Sequence, residues 1–301
     1  MIRLASLRNS LSSDVFTENE VITFDGLRLH YRKYSGDPGR TAIVCLPGLT
    51  RNCRDFEDLA PHLSSTSQRT ILTPDLRGRG RSAIDPNWRN YRPEIYVRDV
   101  LTLIDAEGLK QVILIGTSLG GIVGMLLASL YRPRVSGLVL NDIGPELEIA
   151  GMIRIGSTAG TARAVASWGE AAADARAANA LAYPDFTDDD WRVFARRVYR
   201  EETPGHIIRD VDPNVGRAVR ESGSAPTGSV PEFWDAFDTL DRLPILCLRG
   251  ELSDLLSAAT VTRMMRHHAG MQSVEIPNRG HTPTLDEPES RAALDSFLKA
   301  L

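Results

Sequence analysis

Cysteine is scarce in this sequence, with three residues among 301. Cys45 and Cys247 lie inside apolar, strand-like segments, and Cys53 lies in a more polar one. Three cysteines are too few for a disulfide framework, and their spacing does not match that of a metal site. We therefore expect free thiols and no metal centre.

The sequence also lacks a strong excess of charge. It has 35 basic and 39 acidic residues, a formal net charge of −4, and no block of basic residues. Proteins that bind nucleic acid through its phosphates generally carry such a basic block or stripe. We therefore expect no nucleic-acid partner.

Long hydrophobic runs are missing as well. The stretch Met1–Asp14 contains only scattered apolar residues. No later run approaches the roughly 20 apolar residues that a membrane-spanning helix requires. These absences predict that the protein has no membrane partner and is cytoplasmic.

Hydrophobic residues nevertheless make up 42% of the chain, which is enough for a substantial core. Eight short segments have the composition of strands, and the last six alternate with helical patterns. They are Glu20–Phe24, Leu27–Lys33, Thr41–Leu46, Thr70–Thr73, Gln111–Ile115, Val135–Leu140, Ile245–Arg249 and Ser273–Ile276. Alternation of this kind is typical of a parallel sheet with helices on both faces. The first two segments are joined through Asp25 and Gly26, which predicts an antiparallel hairpin at one edge of the sheet.

The alternation is interrupted in the second half of the chain. Between about Ile143 and Leu240, alanine-rich and charged helical segments replace the strands. This change of composition predicts a helical insertion over residues 143–240, which we call the insert. The core then consists of residues 1–142 and 241–301.

Four features of the insert carry more specific expectations. Thr187 is followed by three aspartates and an apolar face, which predicts the start of a helix. The stretch Ser222–Ser229 is rich in serine and glycine and predicts a flexible connector. We also include Trp168 and His206 as candidate substrate contacts, although no predicted strand positions His206.

The pentad Gly116–Gly120, with the sequence Gly-Thr-Ser-Leu-Gly, is the most informative motif. It follows the apolar run Val112–Ile115 and opens the apolar run Leu119–Leu130, which predicts a strand, a sharp turn and a buried helix. Such a turn exposes one hydroxyl at the end of a parallel sheet. Ser118 is therefore the candidate nucleophile, and the alternative is a glycine-rich loop that merely caps a helix.

A serine nucleophile needs a base, and His281 is the best placed of the six histidines. It follows the last predicted strand and precedes the last helix, so it belongs at the carboxyl end of the sheet, where ligand and catalytic groups collect in open α/β folds. The other five lie on the predicted hairpin, on helices or in the insert, where a structural or solvated histidine is the ordinary interpretation.

An acid must hold the histidine in the correct tautomer. Asp254 follows the predicted strand Ile245–Arg249, and the chain order serine, acid, histidine is that of α/β-hydrolases. We therefore expect Asp254 to orient His281. Glu251 and Asp142 are its rivals, and Asp142, which follows the strand Val135–Leu140, is also a candidate substrate contact.

A tetrahedral intermediate needs hydrogen-bond donors for its oxyanion, and backbone N–H groups supply them without reorganisation. Leu119 directly follows the candidate nucleophile, so its N–H is the first expected donor. The second should come from the loop after Thr41–Leu46, where we nominate Leu49. In the same loop Arg51 is a candidate substrate contact.

These residues resemble the α/β-hydrolase family, and specifically its members with a helical cap. The resemblance covers Val21–Leu301, and Pro74–Ser82 looks like the Asp-x-x-Gly-x-Gly-x-Ser turn of that family. It implies an α/β-hydrolase fold with a mostly parallel eight-stranded sheet, helices on both faces, an inserted helical cap and no cofactor. Pro47 stands where the family usually has histidine, which leaves the mechanism intact and changes only the oxyanion loop.

The resemblance does not define the substrate. It implies hydrolysis of a small carboxylic ester or lactone through an acyl-enzyme on Ser118, so the expected partner is a small-molecule substrate. Cleavage of a carbon–carbon bond in a ring-fission product is one alternative, and a non-enzymatic small-molecule receptor is another. Amide hydrolysis and perhydrolase activity rank below these, and a homodimer is left open as the oligomeric state.

Overall fold

A computed structural model describes residues 15–160, 163–221 and 232–301 of the chain. The strands are β1 (Thr17–Ile22), β2 (Arg28–Tyr34), β3 (Ala42–Leu46), β4 (Ile71–Pro74), β5 (Val112–Thr117), β6 (Val135–Asn141), β7 (Tyr199–Thr203), β8 (His206–Arg209), β9 (Ile245–Gly250) and β10 (Gln272–Ile276). The α-helices are α1 (Leu59–Ser67), α2 (Pro93–Ala106), α3 (Leu119–Leu130), α4 (Ile149–Thr158), α5 (Trp168–Asn179), α6 (Asp188–Val198), α7 (Asn214–Glu221), α8 (Trp234–Asp238), α9 (Ala258–His267) and α10 (Pro288–Lys299). Two segments with sequence-based expectations lie outside the described residues. They are Met1–Asp14, which lacks a hydrophobic run, and Ser222–Ser229, which is predicted to be a flexible connector. Within the described ranges, no helix combines the length and the apolar character needed to cross a bilayer.

Eight of these strands form one sheet in the order β1-β2-β4-β3-β5-β6-β9-β10. Strand β2 runs antiparallel to both β1 and β4, and the remaining neighbours are parallel. The predicted eight-stranded, mostly parallel sheet with a hairpin at one edge is confirmed. The hairpin turn contains Gly26 in the left-handed region, at a φ of 84°, which suits a residue without a Cβ.

The central strands are buried on both faces, as expected for a parallel sheet covered by helices. Along β5 the side chains alternate: Val112 and Leu114 belong to one apolar cluster, and Ile113 and Ile115 belong to another. Helices α2 and α3 pack in the first cluster, and α1 and α10 pack in the second. This sandwich holds the carboxyl ends of the strands, where the predicted site residues lie, in fixed relative positions.

The insert contains α4 to α8, and it also contains the antiparallel pair β7 and β8, which the composition of the segment does not predict. Pro204 and Gly205 join the two strands, and Gly205 has a φ of 74°. This tight turn makes a hairpin possible in a segment whose composition is otherwise helical. His206 consequently lies on β8 and not in an unpositioned loop. The helix predicted after Thr187 is confirmed, and Thr187 forms a capping box with Asp190.

A buried arginine joins the hairpin, α2 and the loop after β4. The side chain of Arg77 is 0% exposed. Its guanidinium donates to Asp99 at 2.5 and 2.7 Å, to Asp85 at 2.5 Å and to Asp25 at 2.9 Å. Because Asp99 is itself fully buried, each charge in this cluster depends on the others for compensation.

We predict that Arg77→Ala lowers the free energy of unfolding by about 3–5 kcal/mol, because it leaves buried carboxylates without a counter-charge. Urea denaturation followed by circular dichroism measures the change. Arg176→Ala is the matched control, since Arg176 bonds the exposed Asp188 and a pair of this kind contributes about 1 kcal/mol or less. Equal losses in the two variants would contradict a special role for the buried cluster.

Candidate active site

Ser118 lies at a sharp turn between β5 and α3. Its backbone has φ of 52° and ψ of −116°, a conformation that costs energy for a residue with a side chain. The flanking glycines are required by space: a Cβ on Gly116 would lie 2.4 Å from the carbonyl oxygen of Gly120, and one on Gly120 would lie 2.1 Å from that of Leu46. The turn therefore holds the Ser118 side chain at the carboxyl end of the sheet.

A chain of two hydrogen bonds runs from Ser118 through His281 to a carboxylate. Ser118 Oγ lies 2.8 Å from His281 Nε2, and His281 Nδ1 lies 2.8 Å from Asp142 Oδ2. The motif and the strand positions predict that Ser118 and His281 act as a pair, and the structure brings these two residues together. A serine bonded to a histidine whose second nitrogen meets a carboxylate is an arrangement that can activate a hydroxyl.

The carboxylate that reaches His281 belongs to Asp142, so the expectation that Asp254 makes this contact is wrong. Asp142 directly follows β6 and has a φ of 54°, a conformation that aspartate tolerates better than most residues. Its side chain is fully buried and also accepts from Gly250 N–H at 2.9 Å and from the Ser253 hydroxyl at 2.7 Å. Asp142 was also a candidate substrate contact, but it lies behind His281 and does not line the cavity.

Asp254 has a different partner. Its two carboxylate oxygens accept from Arg154 Nε at 2.6 Å and from Arg154 Nη2 at 2.7 Å. These hydrogen bonds outweigh the effect of burial and hold the pKa of Asp254 below its ordinary value. The other rival, Glu251, accepts from Asn278 N–H at 2.9 Å. The loop after β9 therefore presents Ser253, and not Asp254, to Asp142.

The two nominated oxyanion donors belong to segments that adjoin Ser118. Leu119 is the first residue of α3, so its N–H has no acceptor within the helix. Leu49 shares a cavity wall with Ser118, and the neighbouring Gly48 would place a Cβ 3.8 Å from Ser118 Cβ. Both backbone segments are therefore close to the hydroxyl, and the donor roles stay predictions.

Arg79 is a supporting residue that the sequence analysis missed. It is 1% exposed, and its Nε donates to Leu49 O at 2.9 Å, while Nη1 donates to Tyr96 Oη at 2.9 Å. The bond to Leu49 holds the predicted oxyanion loop in place. The sequence offers one indication of its importance, because Arg79 lies inside Pro74–Ser82, the segment that resembles a family motif. That motif does not define a role for this arginine.

Ser118 and His281 open into a cavity of about 130 Å³. The insert supplies much of the wall, including Arg154, Ile155, Asn179, Tyr183, Phe194 and Arg197. The sequence does not predict these wall residues, because nothing local to the insert indicates which helix faces meet the core. The predicted contact Arg51 does line the cavity, bonded to Asp55 at 2.6 to 3.1 Å and with its guanidinium 4.3 Å from the Phe194 ring centroid.

Two other predicted contacts lie elsewhere. Trp168 packs in the apolar cluster of the insert, with the guanidinium of Arg196 3.6 Å from its ring centroid. His206 is half exposed on β8 and lies 3.4 Å from Glu202. Neither residue lines the cavity beside Ser118. The Trp168 ring packs against the apolar cluster of the insert, and His206 lines a different cavity together with Ile208 and Arg209.

One buried group has the residue types of a metal site. His30, Cys53 and Asp75 bring possible ligand atoms within 4.8 Å of one another. Asp75, however, already accepts from His30 Nδ1 at 2.8 Å, from Cys53 N–H at 2.7 Å and from Arg81 N–H at 2.9 Å. Burial also raises the pKa of the Cys53 thiol, which opposes the thiolate that a metal would need. We interpret the group as a hydrogen-bonded structural element.

Comparison with known proteins agrees with this geometry. A family model described as "Alpha/beta hydrolase family" matches residues 43–294. The crystal structure of an alpha/beta hydrolase from Novosphingobium aromaticivorans is 40% identical and superposes with a TM-score of 0.89, covering 96% of this chain and 100% of the other.

Two curated relatives extend over nearly the whole chain. A 3-hydroxybutyrate-oligomer hydrolase from Cupriavidus necator is 33% identical, over 90% of this chain and 92% of its own length. A 2-(acetamidomethylene)succinate hydrolase from Mesorhizobium japonicum is 27% identical, over 96% and 98%. Relatives that are hydrolases favour an enzyme over the receptor alternative. The chain belongs to the alpha/beta hydrolase family and is an enzyme of the hydrolase class.

Proposed function

We propose that the enzyme cleaves a small carboxylic ester through an acyl-enzyme intermediate, with Ser118 as the nucleophile, His281 as the base and Asp142 as the orienting acid. The observation that carries the proposal is the continuous hydrogen-bonded chain from Ser118 Oγ to Asp142 Oδ2, with both contacts at 2.8 Å. Its far end is buried and held by two further donors, so the imidazole has one preferred orientation.

The reaction follows from this geometry. His281 Nε2 takes the proton of Ser118 as the hydroxyl attacks the ester carbonyl, and Asp142 stabilises the imidazolium that forms. The N–H groups of Leu49 and Leu119 bind the developing oxyanion. His281 then protonates the leaving alcohol and activates a water molecule that attacks the acyl-enzyme, which releases the acid and restores Ser118.

The substrate we favour is a short oligoester of a hydroxy acid. The relative from Cupriavidus necator is named for hydrolysis of 3-hydroxybutyrate oligomers, and it aligns with 90% of this chain. The cavity is small, about 130 Å³, and its wall combines apolar side chains with arginines. A short acyl unit suits such a volume better than a long fatty acyl chain does. The linear dimer of 3-hydroxybutyrate is therefore the first substrate to test, beside p-nitrophenyl butyrate.

We predict that Ser118→Ala lowers kcat for p-nitrophenyl butyrate by a factor of about 10⁴ or more, because no acyl-enzyme can form. Steady-state kinetics on the purified protein measures the loss. Ser157→Ala is the matched control, since Ser157 is an exposed serine on α4 whose hydroxyl bonds only the Arg154 carbonyl among the described residues, and it should retain full activity. Persistent turnover in Ser118→Ala would refute the nucleophile assignment.

Asp142→Asn should lower kcat for the same ester by about 10³–10⁴-fold with little change in KM, because the amide favours the wrong tautomer of His281. Asp254→Asn, which does not touch His281, should lose less than about tenfold in kcat. Near-ultraviolet circular dichroism checks that both variants keep the native packing. A larger kcat loss in Asp254→Asn would return the role of orienting acid to Asp254.

A further inference from the structure

Three arginines of the cavity wall differ in how much of their charge faces the substrate. Arg51, Arg154 and Arg197 all line the cavity, and all three have acidic partners. The position of each partner decides how much positive charge faces the cavity. A carboxylate that also lines the cavity offsets the cation there, whereas a carboxylate outside the cavity wall offsets it less.

Arg197 is fully engaged. Its Nε contacts Glu57 at 3.2 Å, its Nη1 contacts Asp286 at 3.3 Å, and its Nη2 donates to Asp58. The side chain is only 10% exposed. Each nitrogen of this guanidinium has an acidic partner, so the charge of Arg197 is compensated within the protein.

Arg51 is neutralised within the cavity. Its partner Asp55 lines the same wall, and the two side chains share three contacts between 2.6 and 3.1 Å. The guanidinium also faces the ring of Phe194. An anionic group that approached Arg51 would therefore also meet the carboxylate of Asp55.

Arg154 presents its charge differently. Asp254 binds its Nε and Nη2, but Asp254 is not part of the cavity wall. Among the described residues Nη1 makes no hydrogen bond. The side chain is 29% exposed, more than that of Arg51 or Arg197. Arg51 Nη1 likewise makes no hydrogen bond among the described residues, so Arg154 is distinguished by its greater exposure and by a partner carboxylate that does not line the cavity.

The backbone around this pair is also fixed. Gly151 N–H on α4 donates to Asp254 O at 3.1 Å, and Glu148 N–H donates to Leu255 O at 2.9 Å. These bonds attach α4 to the loop after β9, so both ends of the ion pair are held. A guanidinium oriented before the ligand arrives loses little conformational entropy on binding.

We propose that Arg154, positioned by Asp254, binds a carboxylate of the substrate and makes the enzyme selective for esters that carry a free acid group. The proposal rests on the proposed function. For a short hydroxy-acid oligoester, the carboxylate at the acid end would bind Arg154 while the neighbouring ester lies against Ser118. Arginine suits this role because its planar fork matches the geometry of a carboxylate.

The test compares the linear 3-hydroxybutyrate dimer as its free acid with the same dimer as its methyl ester, on the 301-residue chain. The wild type should show the higher kcat/KM for the free acid. In Arg154→Met the value for the acid should fall about tenfold or more, chiefly through KM, because the lost contact is a charged hydrogen bond. The value for the methyl ester should fall by no more than about threefold.

Two further variants separate charge from packing. Arg154→Lys keeps the charge without the fork and should lie between the wild type and Arg154→Met for the acid dimer alone. Arg176→Met removes an exposed arginine of the insert, on α5 and 3.1 Å from Asp188, and should leave both substrates unchanged. Equal losses on the two dimers in Arg154→Met, or no preference for the acid in the wild type, would overturn the inference.

Failure of this inference is distinguishable from failure of the proposed function. If p-nitrophenyl butyrate is hydrolysed in a Ser118-dependent manner but the wild type does not prefer the acid dimer, only the role of Arg154 is refuted. If neither dimer nor p-nitrophenyl butyrate is hydrolysed, the proposed function itself fails, and the inference fails with it.

Discussion

The buried carboxylate of Asp142 is the point on which the arrangement of the site depends. It lies at the end of β6 and receives His281 from the loop after β10, together with Gly250 N–H and the Ser253 hydroxyl from the end of β9 and its loop. An ionised carboxylate without water is costly unless donors surround it. These three donors meet that need, and by doing so they fix the loops that emerge from three adjacent strands.

The insert is attached to the same loops. Tyr183 Oη donates to Thr282 O at 2.7 Å, and Gly280 N–H donates to Ala182 O at 2.8 Å. These contacts involve the residues directly before and after His281 in the chain. Arg154 also joins α4 to Asp254 in the loop after β9, which is two strands away from the strand that precedes Ser118. The segments that shape the cavity are therefore bonded to the loop that carries the proposed base, so a change in the insert can alter both the cavity and the position of His281.

Much of this could be predicted from the sequence, for physical reasons that differ between residues. Ser118 could be predicted because a strand, a glycine-lined turn and a buried helix leave a local sequence pattern. His281 could be predicted because the carboxyl ends of parallel strands meet at one edge of the sheet. The orienting acid could not be predicted in the same way. Asp142 and Asp254 both follow strands, and only the side-chain directions distinguish them. The left-handed backbone of Asp142 and the bond of Asp254 to Arg154 decide the outcome, and both depend on tertiary contacts.

The structure thus divides two tasks between two acids that sequence order alone would treat as rivals. Asp142 holds His281, while Asp254 holds Arg154 through a paired set of hydrogen bonds. Asp142 bonds His281 Nδ1 directly at 2.8 Å, whereas no hydrogen bond among the described residues joins His281 to Arg154 or to Asp254. The attraction between the Asp142 carboxylate and an imidazolium therefore acts at contact distance, where it outweighs the effect of the more distant ion pair. This difference in distance allows the proposed carboxylate contact of Arg154 and the proposed protonation of His281 to share one small cavity.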